Sequence, residues 1–96
     1  MTVDLPDTSR VARSQDHLSA DIGEQIVLMS VHQGKYVGLD TIGAAIWRRL
    51  EQPLSVADLC GQLMEDFEAD PAQLRRDVSV FLTYLHRHGL IEIDQA

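Results

Sequence analysis

The chain has 96 residues, 45% of them hydrophobic, and its 15 Asp and Glu against 8 Lys and Arg give a formal net charge of -7. This length and apolar content suit one domain with a small core, whereas the acidic balance argues against a nucleic-acid partner because phosphate binding draws on surplus Lys and Arg. A single cysteine, Cys60, cannot close an internal disulfide, and no apolar run approaches the roughly 20 residues that span a bilayer. We therefore expect a cytoplasmic protein with no membrane partner.

The N-terminal residues predict little regular structure. Residues 1–9 are polar, acidic and interrupted by Pro6, which predicts a flexible tail ahead of a single domain over residues 10–96. Residues 10–13 carry only a short signal for extended backbone.

Three strands are predicted next. Residues 17–22 alternate polar and apolar at period two, and residues 25–31 form a run of β-branched and large apolar side chains. That run predicts a central strand buried on both faces. Turn residues separate it from a third strand at residues 35–39, so we expect an antiparallel meander whose third strand lies at the edge.

Three helices follow, each preceded by a capping residue. Asp40, Ser55 and Asp70 stand where a side-chain oxygen can accept hydrogen bonds from the first turn. Pro53 ends the first helix, and Gly89 ends the third. The predicted core positions of the first two helices are Ile42, Ala45, Ile46, Trp47 and Leu50, and then Val56, Leu59, Cys60, Leu63, Met64 and Phe67. Residues 90–93 can form a final short strand, which makes the fold class α+β.

The third helix has an apolar side too wide for one core stripe. Its core stripe consists of Leu74, Val78, Phe81, Leu82 and Leu85. At 100° per residue, Val80 and Tyr84 lie about 100° from the centre of that stripe. The predicted solvated side holds Arg75, Arg76, Ser79, Thr83, His86 and Arg87.

Two interpretations of the extra apolar face remain open. Either Val80 and Tyr84 pack under a loop or on the sheet, or they line a groove beside the edge strand together with Asp77, Phe81 and His88. In the second case an extended peptide could add to the strand by main-chain hydrogen bonds, with alternate side chains filling the groove.

The residues that could support catalysis or metal binding do not assemble a site. Cys60 lies on the apolar stripe of the second helix, where a buried, unreactive thiol is expected. His86 and His88 point about 200° apart on a helix and cannot share a metal ion. The acidic residues 65–70 lack the ligand spacing of a calcium loop. We therefore expect no enzyme activity, cofactor or metal.

Two spaced patterns resemble a known family. They are Tyr36-x-Gly38-Leu39-Asp40-x-x-Gly43-x-x-Ile46-Trp47-x-x-Leu50 and Asp77-Val78-x-x-Phe81-Leu82-x-x-Leu85-x-x-x-Gly89-Leu90-Ile91. In order and spacing, over about residues 10–93, the chain resembles the PqqD-like recognition elements for RiPPs, the ribosomally synthesised and post-translationally modified peptides. The likeness is greatest to the standalone leader-binding proteins of lasso-peptide biosynthesis.

This resemblance implies a winged-helix-like domain in which a precursor's leader peptide pairs with the third strand and lies against the third helix. The implied peptide-binding residues are Lys35, Tyr36, Val37, Gly38, Leu39, Asp77, Val80, Phe81 and Tyr84. The implied partners are a cysteine leader peptidase and an ATP-dependent cyclase of the same pathway.

Three alternatives remain. A similar domain serves pyrroloquinoline quinone synthesis with a radical enzyme, and a purely structural subunit of a larger enzyme is also compatible. A winged-helix DNA-binding regulator would use Arg75, Arg76 and Arg87, which is a poor electrostatic footprint on a protein of net charge -7.

Overall fold

The computed structural model describes residues 5–23, 25–31 and 33–94. The strands are β1 (Arg10–Arg13), β2 (His17–Ile22), β3 (Gln25–Ser30), β4 (Lys35–Leu39), β5 (Leu54–Ser55) and β6 (Ile91–Asp94), and the helices are α1 (Thr41–Arg49), α2 (Val56–Asp66) and α3 (Pro71–Arg87). The predicted α+β class is confirmed, with a three-stranded antiparallel sheet, three helices and a short C-terminal strand. None of the helices in these ranges is long and apolar enough to cross a bilayer.

The meander β2-β3-β4 forms as predicted, with β3 in the centre. Its burial differs from the prediction, because Ile26 and Leu28 are buried whereas Val27 and Met29 on the opposite face are only half-buried. The helices pack on the inner face alone, and the outer face is flanked by exposed side chains of β2 and β4, such as Tyr36. Burial of β3 on both faces was therefore a wrong prediction.

A second sheet joins the two ends of the domain. β1 lies between β5 and β6 and pairs antiparallel with both, so that Val11 stands opposite Leu54 on one side and Ile93 on the other. Val11 is fully buried. The short signal at residues 10–13 and the possible strand at residues 90–93 thus belong to one structure, whose partners lie some 80 residues apart in the chain.

The predicted helix caps are confirmed. The Asp40 carboxylate accepts a hydrogen bond from the amide of Gly43 at 2.8 Å, which satisfies one of the free donors in the first turn of α1. Ser55 and Asp70 accept in the same way at the starts of α2 and α3. Gly89 ends α3 with a φ of 71°, a left-handed conformation that favours glycine.

The core lies between the inner face of the meander and the helices. Trp47, which is 2% exposed, is contacted by residues from both sheets. The Arg13 guanidinium lies 4.5 Å from the centre of the indole ring and donates a hydrogen bond to the Trp47 carbonyl at 2.6 Å. The ring of His17 approaches the indole edge-on at 5.0 Å. These contacts tie the end of β1 and the start of β2 to α1.

Some predicted core positions are not core. Ile42 is 48% exposed and Met64 is 37% exposed, while Ala45, Cys60 and Phe67 are partly buried. Each lies at the margin of an apolar stripe that the helical period alone cannot separate from its centre. Ile42 lies in the first turn of α1.

Residues 5–9 pack against the domain, although their composition predicted a flexible tail. Leu5 is 5% exposed and belongs to the core, and Ser9 is fully buried. The carbonyls of Asp7 and Ser9 accept hydrogen bonds from the amides of Ala57 and Val56, at 3.1 and 2.9 Å. The prediction is wrong for residues 5–9, and residues 1–4 lie outside the described residues.

This N-terminal segment also covers part of the predicted solvated side of α3. The Arg75 guanidinium pairs with the Asp7 carboxylate at 2.9 Å and bonds to the Leu5 carbonyl. Ser79 is fully buried and accepts a hydrogen bond from the Leu5 amide at 3.4 Å. Two positions predicted to face solvent, Arg75 and Ser79, are therefore contacts within the domain.

Candidate functional site

The outer edge of β4 is open. In the described part of the chain, β4 forms ladder hydrogen bonds with β3 alone. β2 lies on the other side of β3, so none of the described strands pairs with the outer edge of β4. A vacant edge presents unpaired main-chain donors and acceptors to any extended chain that approaches it. Lys35, exposed at the start of β4, is the one charged side chain on this strand.

The direction of the ladder shows which groups face that edge. The amide of Val31 donates to the carbonyl of Asp16 at 3.2 Å, and Asp16 directly precedes β2. Because the direction of hydrogen bonding alternates along a strand, every second residue of β3, counted back from Val31, also bonds towards β2. The residues between them bond towards β4, where Leu28 stands opposite Val37. Since bonding direction alternates along β4 too, Tyr36 and Gly38 direct their N–H and C=O groups to the open edge.

The side chains of β4 alternate between the two faces. Val37 and Leu39 are 5% and 3% exposed and belong to the core. Tyr36, 73% exposed, and Gly38 lie on the outer face of the sheet. The predicted peptide-binding residues on this strand therefore divide. Tyr36 and Gly38 have main-chain groups at the open edge, whereas Val37 and Leu39 have buried side chains and main-chain groups that bond to β3.

The second apolar face of α3 is exposed beside this edge. Val80 and Tyr84 are 49% and 45% exposed, and they do not pack under a loop or on the sheet, as one interpretation of the sequence proposed. Asp77 is exposed, while Phe81 is half-buried. The ring of His88 is half-buried against that of Tyr84, with a centroid separation of 4.5 Å.

Contacts near both ends of β4 hold α3 alongside it. After β3, the Gln33 side chain donates to the carbonyl of Arg87 at 3.2 Å, which fixes the β3–β4 turn to the end of α3. After β4, a Cβ atom placed on Gly43 would lie 3.1 Å from the ring of Phe81, so α1 and α3 approach closely here. These two contacts bring α3 close to both ends of β4. We refer to the surface between them, with β4 on one side and the Asp77–Tyr84 face of α3 on the other, as the β4 groove.

A cavity of about 260 Å³ opens at the α1 end of this groove. It is lined by Asp40, Ile42, Gly43, Ile46, Leu74, Asp77, Val78 and Phe81. The sequence placed Asp77 and Phe81 in the candidate site but missed Asp40, Ile42 and Gly43. Ile42 stands on the same helical stripe as Ile46, so no local signal distinguishes a cavity residue from a core residue.

A family model described as coenzyme PQQ synthesis protein D (PqqD) matches residues 25–91. The chain belongs to the PqqD family. The matched residues contain the open edge of β4, the cavity and the whole of α3. The family predicted from the sequence patterns is thus confirmed.

Two solved structures are similar to this PqqD-family chain. One, "TbiB1 in Complex with the TbiA(beta) Leader Peptide", has 30% sequence identity and a TM-score of 0.79, covering 84% of this chain and 94% of that chain. The other, "Lasso peptide synthetase B1 complexed with the leader peptide", has 24% identity and a TM-score of 0.72, covering 85% and 96%, and shares the fold. No curated protein sequence matches the chain.

The described residues of this PqqD-family protein include no group of three or more His, Cys, Asp or Glu side chains that could hold a metal ion. His86 is exposed, whereas His88 lies half-buried against Tyr84, so the two rings face different surroundings. Cys60 is half-buried, more accessible than the buried thiol expected from its position.

The Cys60 thiol should react slowly with alkylating agents. Burial raises the pKa of the thiol, and Asp7 adds to this effect while Arg75 opposes it. Because the thiolate is the nucleophile, a raised pKa lowers the reactive fraction at neutral pH. We expect the rate of alkylation by iodoacetamide to rise with pH through an inflection above that of an unstructured cysteine peptide measured alongside it. Since Cys60 is the one cysteine, mass spectrometry of the intact protein reports this rate, and an inflection at or below that of the peptide would contradict the expectation.

Proposed function

We propose that this protein binds the leader segment of a ribosomal precursor peptide in lasso-peptide biosynthesis, by adding it as a strand to the open edge of β4. The observation that supports this most directly is the vacant edge lying beside the exposed face of α3. The likeness to TbiB1, whose structure holds a leader peptide, supports the same function.

Main-chain hydrogen bonds would hold the leader in register. Tyr36 and Gly38 offer the outward N–H and C=O groups, so a leader strand would exchange hydrogen bonds with these two residues. Tyr36 and Gly38 are held in position because their neighbours on β4, which are Lys35, Val37 and Leu39, bond towards β3. The absence of a side chain at Gly38 leaves room on the outer face for a leader side chain next to Tyr36.

Apolar contacts would supply most of the affinity. Leader side chains that alternate towards the helices would face Val80, Phe81 and Tyr84, with Asp77 at the rim of the groove. A leader that is disordered when free must offset the entropy lost on binding, and covering exposed Val80 and Tyr84 removes apolar surface from water.

The wider role follows from tethering. A protein that holds the leader raises the local concentration of the precursor at enzymes to which it is itself attached, without bond chemistry of its own. In this proposal those enzymes are a cysteine leader peptidase and an ATP-dependent cyclase, acting in the cytoplasm.

The test is direct binding of fluorescein-labelled candidate leader peptides, translated from short open reading frames found beside this gene, measured by fluorescence polarisation. We expect saturable binding that the unlabelled leader competes and that a scrambled leader of equal composition does not. Equal binding of the scrambled peptide, or none of the native leader, would contradict the proposal.

A second pathway has support from the family model, which is described as a PQQ synthesis protein. In that case the same groove would present a leader to a radical enzyme. Pull-down with purified pathway enzymes separates the two, since a lasso pathway requires association with the peptidase or the cyclase. DNA binding has less support, because Arg75 is already paired with Asp7.

A further inference from the structure

The cavity at the α1 end of the groove lies where β4 ends. Asp40 directly follows Leu39, the last residue of β4, and it lines the cavity together with Asp77 of α3. A peptide strand paired along β4 would therefore reach the mouth of this cavity as it leaves the edge.

The walls of the cavity are mainly apolar. Its deepest residues, Leu74, Val78 and Ile46, are 6%, 1% and 2% exposed, whereas Ile42 is 48% exposed at the mouth. The volume of about 260 Å³ is well above the roughly 150 Å³ of an apolar cavity that admits benzene. One large aliphatic or aromatic side chain therefore fits.

Two carboxylates at this cavity have no cationic partner among the residues that the structure describes. Asp40 uses Oδ1 to accept the Gly43 amide at 2.8 Å, and Asp77 uses Oδ1 to accept the Gln73 side-chain amide at 2.9 Å. No Lys or Arg side chain in the described ranges pairs with either carboxylate. In both cases the second carboxylate oxygen is left for a partner from outside the chain.

We propose that this cavity takes one large apolar side chain of the leader, and that Asp40 and Asp77 pair with a Lys or Arg close to it in the leader sequence. The proposal rests on the proposed function, because it names the peptide chemistry that the β4 groove selects. Charge complementarity supports this choice, since the whole chain carries a net charge of -7 and attracts cationic segments.

The two carboxylates should contribute unequally. Asp40 also caps α1, and the positive end of that helix offsets part of its charge. Asp77 lies in the middle of α3, away from both helix ends. We therefore expect the larger loss of binding when the charge of Asp77 is removed.

The experiment uses a displayed library of random 16-residue peptides, selected on the purified full-length protein. We expect the selected peptides to carry Lys or Arg within three positions of a large apolar residue. Replacing that apolar residue by Ala in a selected peptide should weaken binding at least about 10-fold. Selected peptides with no preference for Lys or Arg, or with Asp or Glu in their place, would overturn the proposal.

The matched variants are Asp40→Asn and Asp77→Asn, which remove a charge but keep the Oδ1 acceptor. Asn caps a helix about as well as Asp, so α1 should remain intact. The double variant should bind the selected peptides about 10-fold more weakly at low salt, with a smaller difference at 0.5 M NaCl. Asp58→Asn, an equal charge change at an exposed position on α2, is the control and should leave affinity within about 2-fold.

The failure of this proposal is distinguishable from that of the proposed function. If Gly38→Pro abolishes peptide binding but Asp40→Asn with Asp77→Asn does not weaken it, strand addition stands and the cationic preference is wrong. If no peptide is selected, or if the selected peptides bind Gly38→Pro unchanged, strand addition at β4 fails and this inference fails with it.

Discussion

Replacing Gly38 with proline should abolish leader binding and leave the fold intact. The amide of Gly38 points to the open edge, so proline removes a donor that the leader needs but no bond of the β3–β4 ladder. Its ring also occupies the space through which the leader strand approaches. Losing the bonds exchanged at this residue, with the steric clash, should weaken binding at least about 100-fold.

The matched control is Gly38→Ala, which keeps the amide. A Cβ atom at this position would have no heavy atom within 4 Å, so alanine fits the free protein. Its affinity should stay within about 3-fold of the parent protein, because both outward main-chain groups remain. Fluorescence polarisation with the labelled leader measures both variants.

Thermal unfolding, followed by circular dichroism, shows whether the proline variant is folded. Its Tm should lie within about 5 °C of the parent value, the shift that about 1 kcal/mol produces in a domain of this size. A folded Gly38→Pro protein with normal affinity would mean that the leader does not pair with β4.

Truncating Tyr84 to alanine is expected to have the second-largest effect. Its ring is exposed on the groove side of α3, and a bound leader would cover it. Aromatic residues at the centre of an interface commonly contribute 2 kcal/mol or more, so affinity should fall about 30-fold. Because the ring is 45% exposed, the free energy of unfolding should change by less than about 1 kcal/mol.

His86→Ala is the control for Tyr84→Ala. It removes a ring two residues further along α3, at an exposed position about 200° around the helix from Tyr84. Its affinity should equal that of the parent protein. Arg75→Ala does not serve here, because Arg75 anchors Asp7 and Leu5. Equal losses for Tyr84→Ala and His86→Ala would show that the groove face of α3 is not the binding surface.

The local features of this fold were readable from the sequence. Asp40, Ser55 and Asp70 each accept the amide hydrogen bond predicted for a cap. The edge position of residues 35–39 and the second apolar face of α3 were also predicted. All of these depend on interactions within a few residues, or on a periodic pattern that one element carries by itself.

Other parts of the candidate site depended on contacts between distant segments. Whether Val80 and Tyr84 were covered could not be decided until the positions of β4 and the loops were known. Ile42 shares a helical stripe with buried Ile46, and it lines the cavity because α3 leaves space beside the first turn of α1. Asp40 has the sequence signature of a cap and gives no sign that it lines a cavity with Asp77.

What the sequence alone determined is the three-stranded meander, the three helices with their capping residues, and the family to which the chain belongs, whereas β5 was not predicted. The tertiary structure decided the pairing of β1 with β6, the packing of residues 5–9 on α2 and α3, and the cavity between α1 and α3. The physical reason is that hydrogen-bond caps and hydrophobic periods are short-range. Strand pairing and cavity shape instead depend on which surfaces meet once the whole chain has folded.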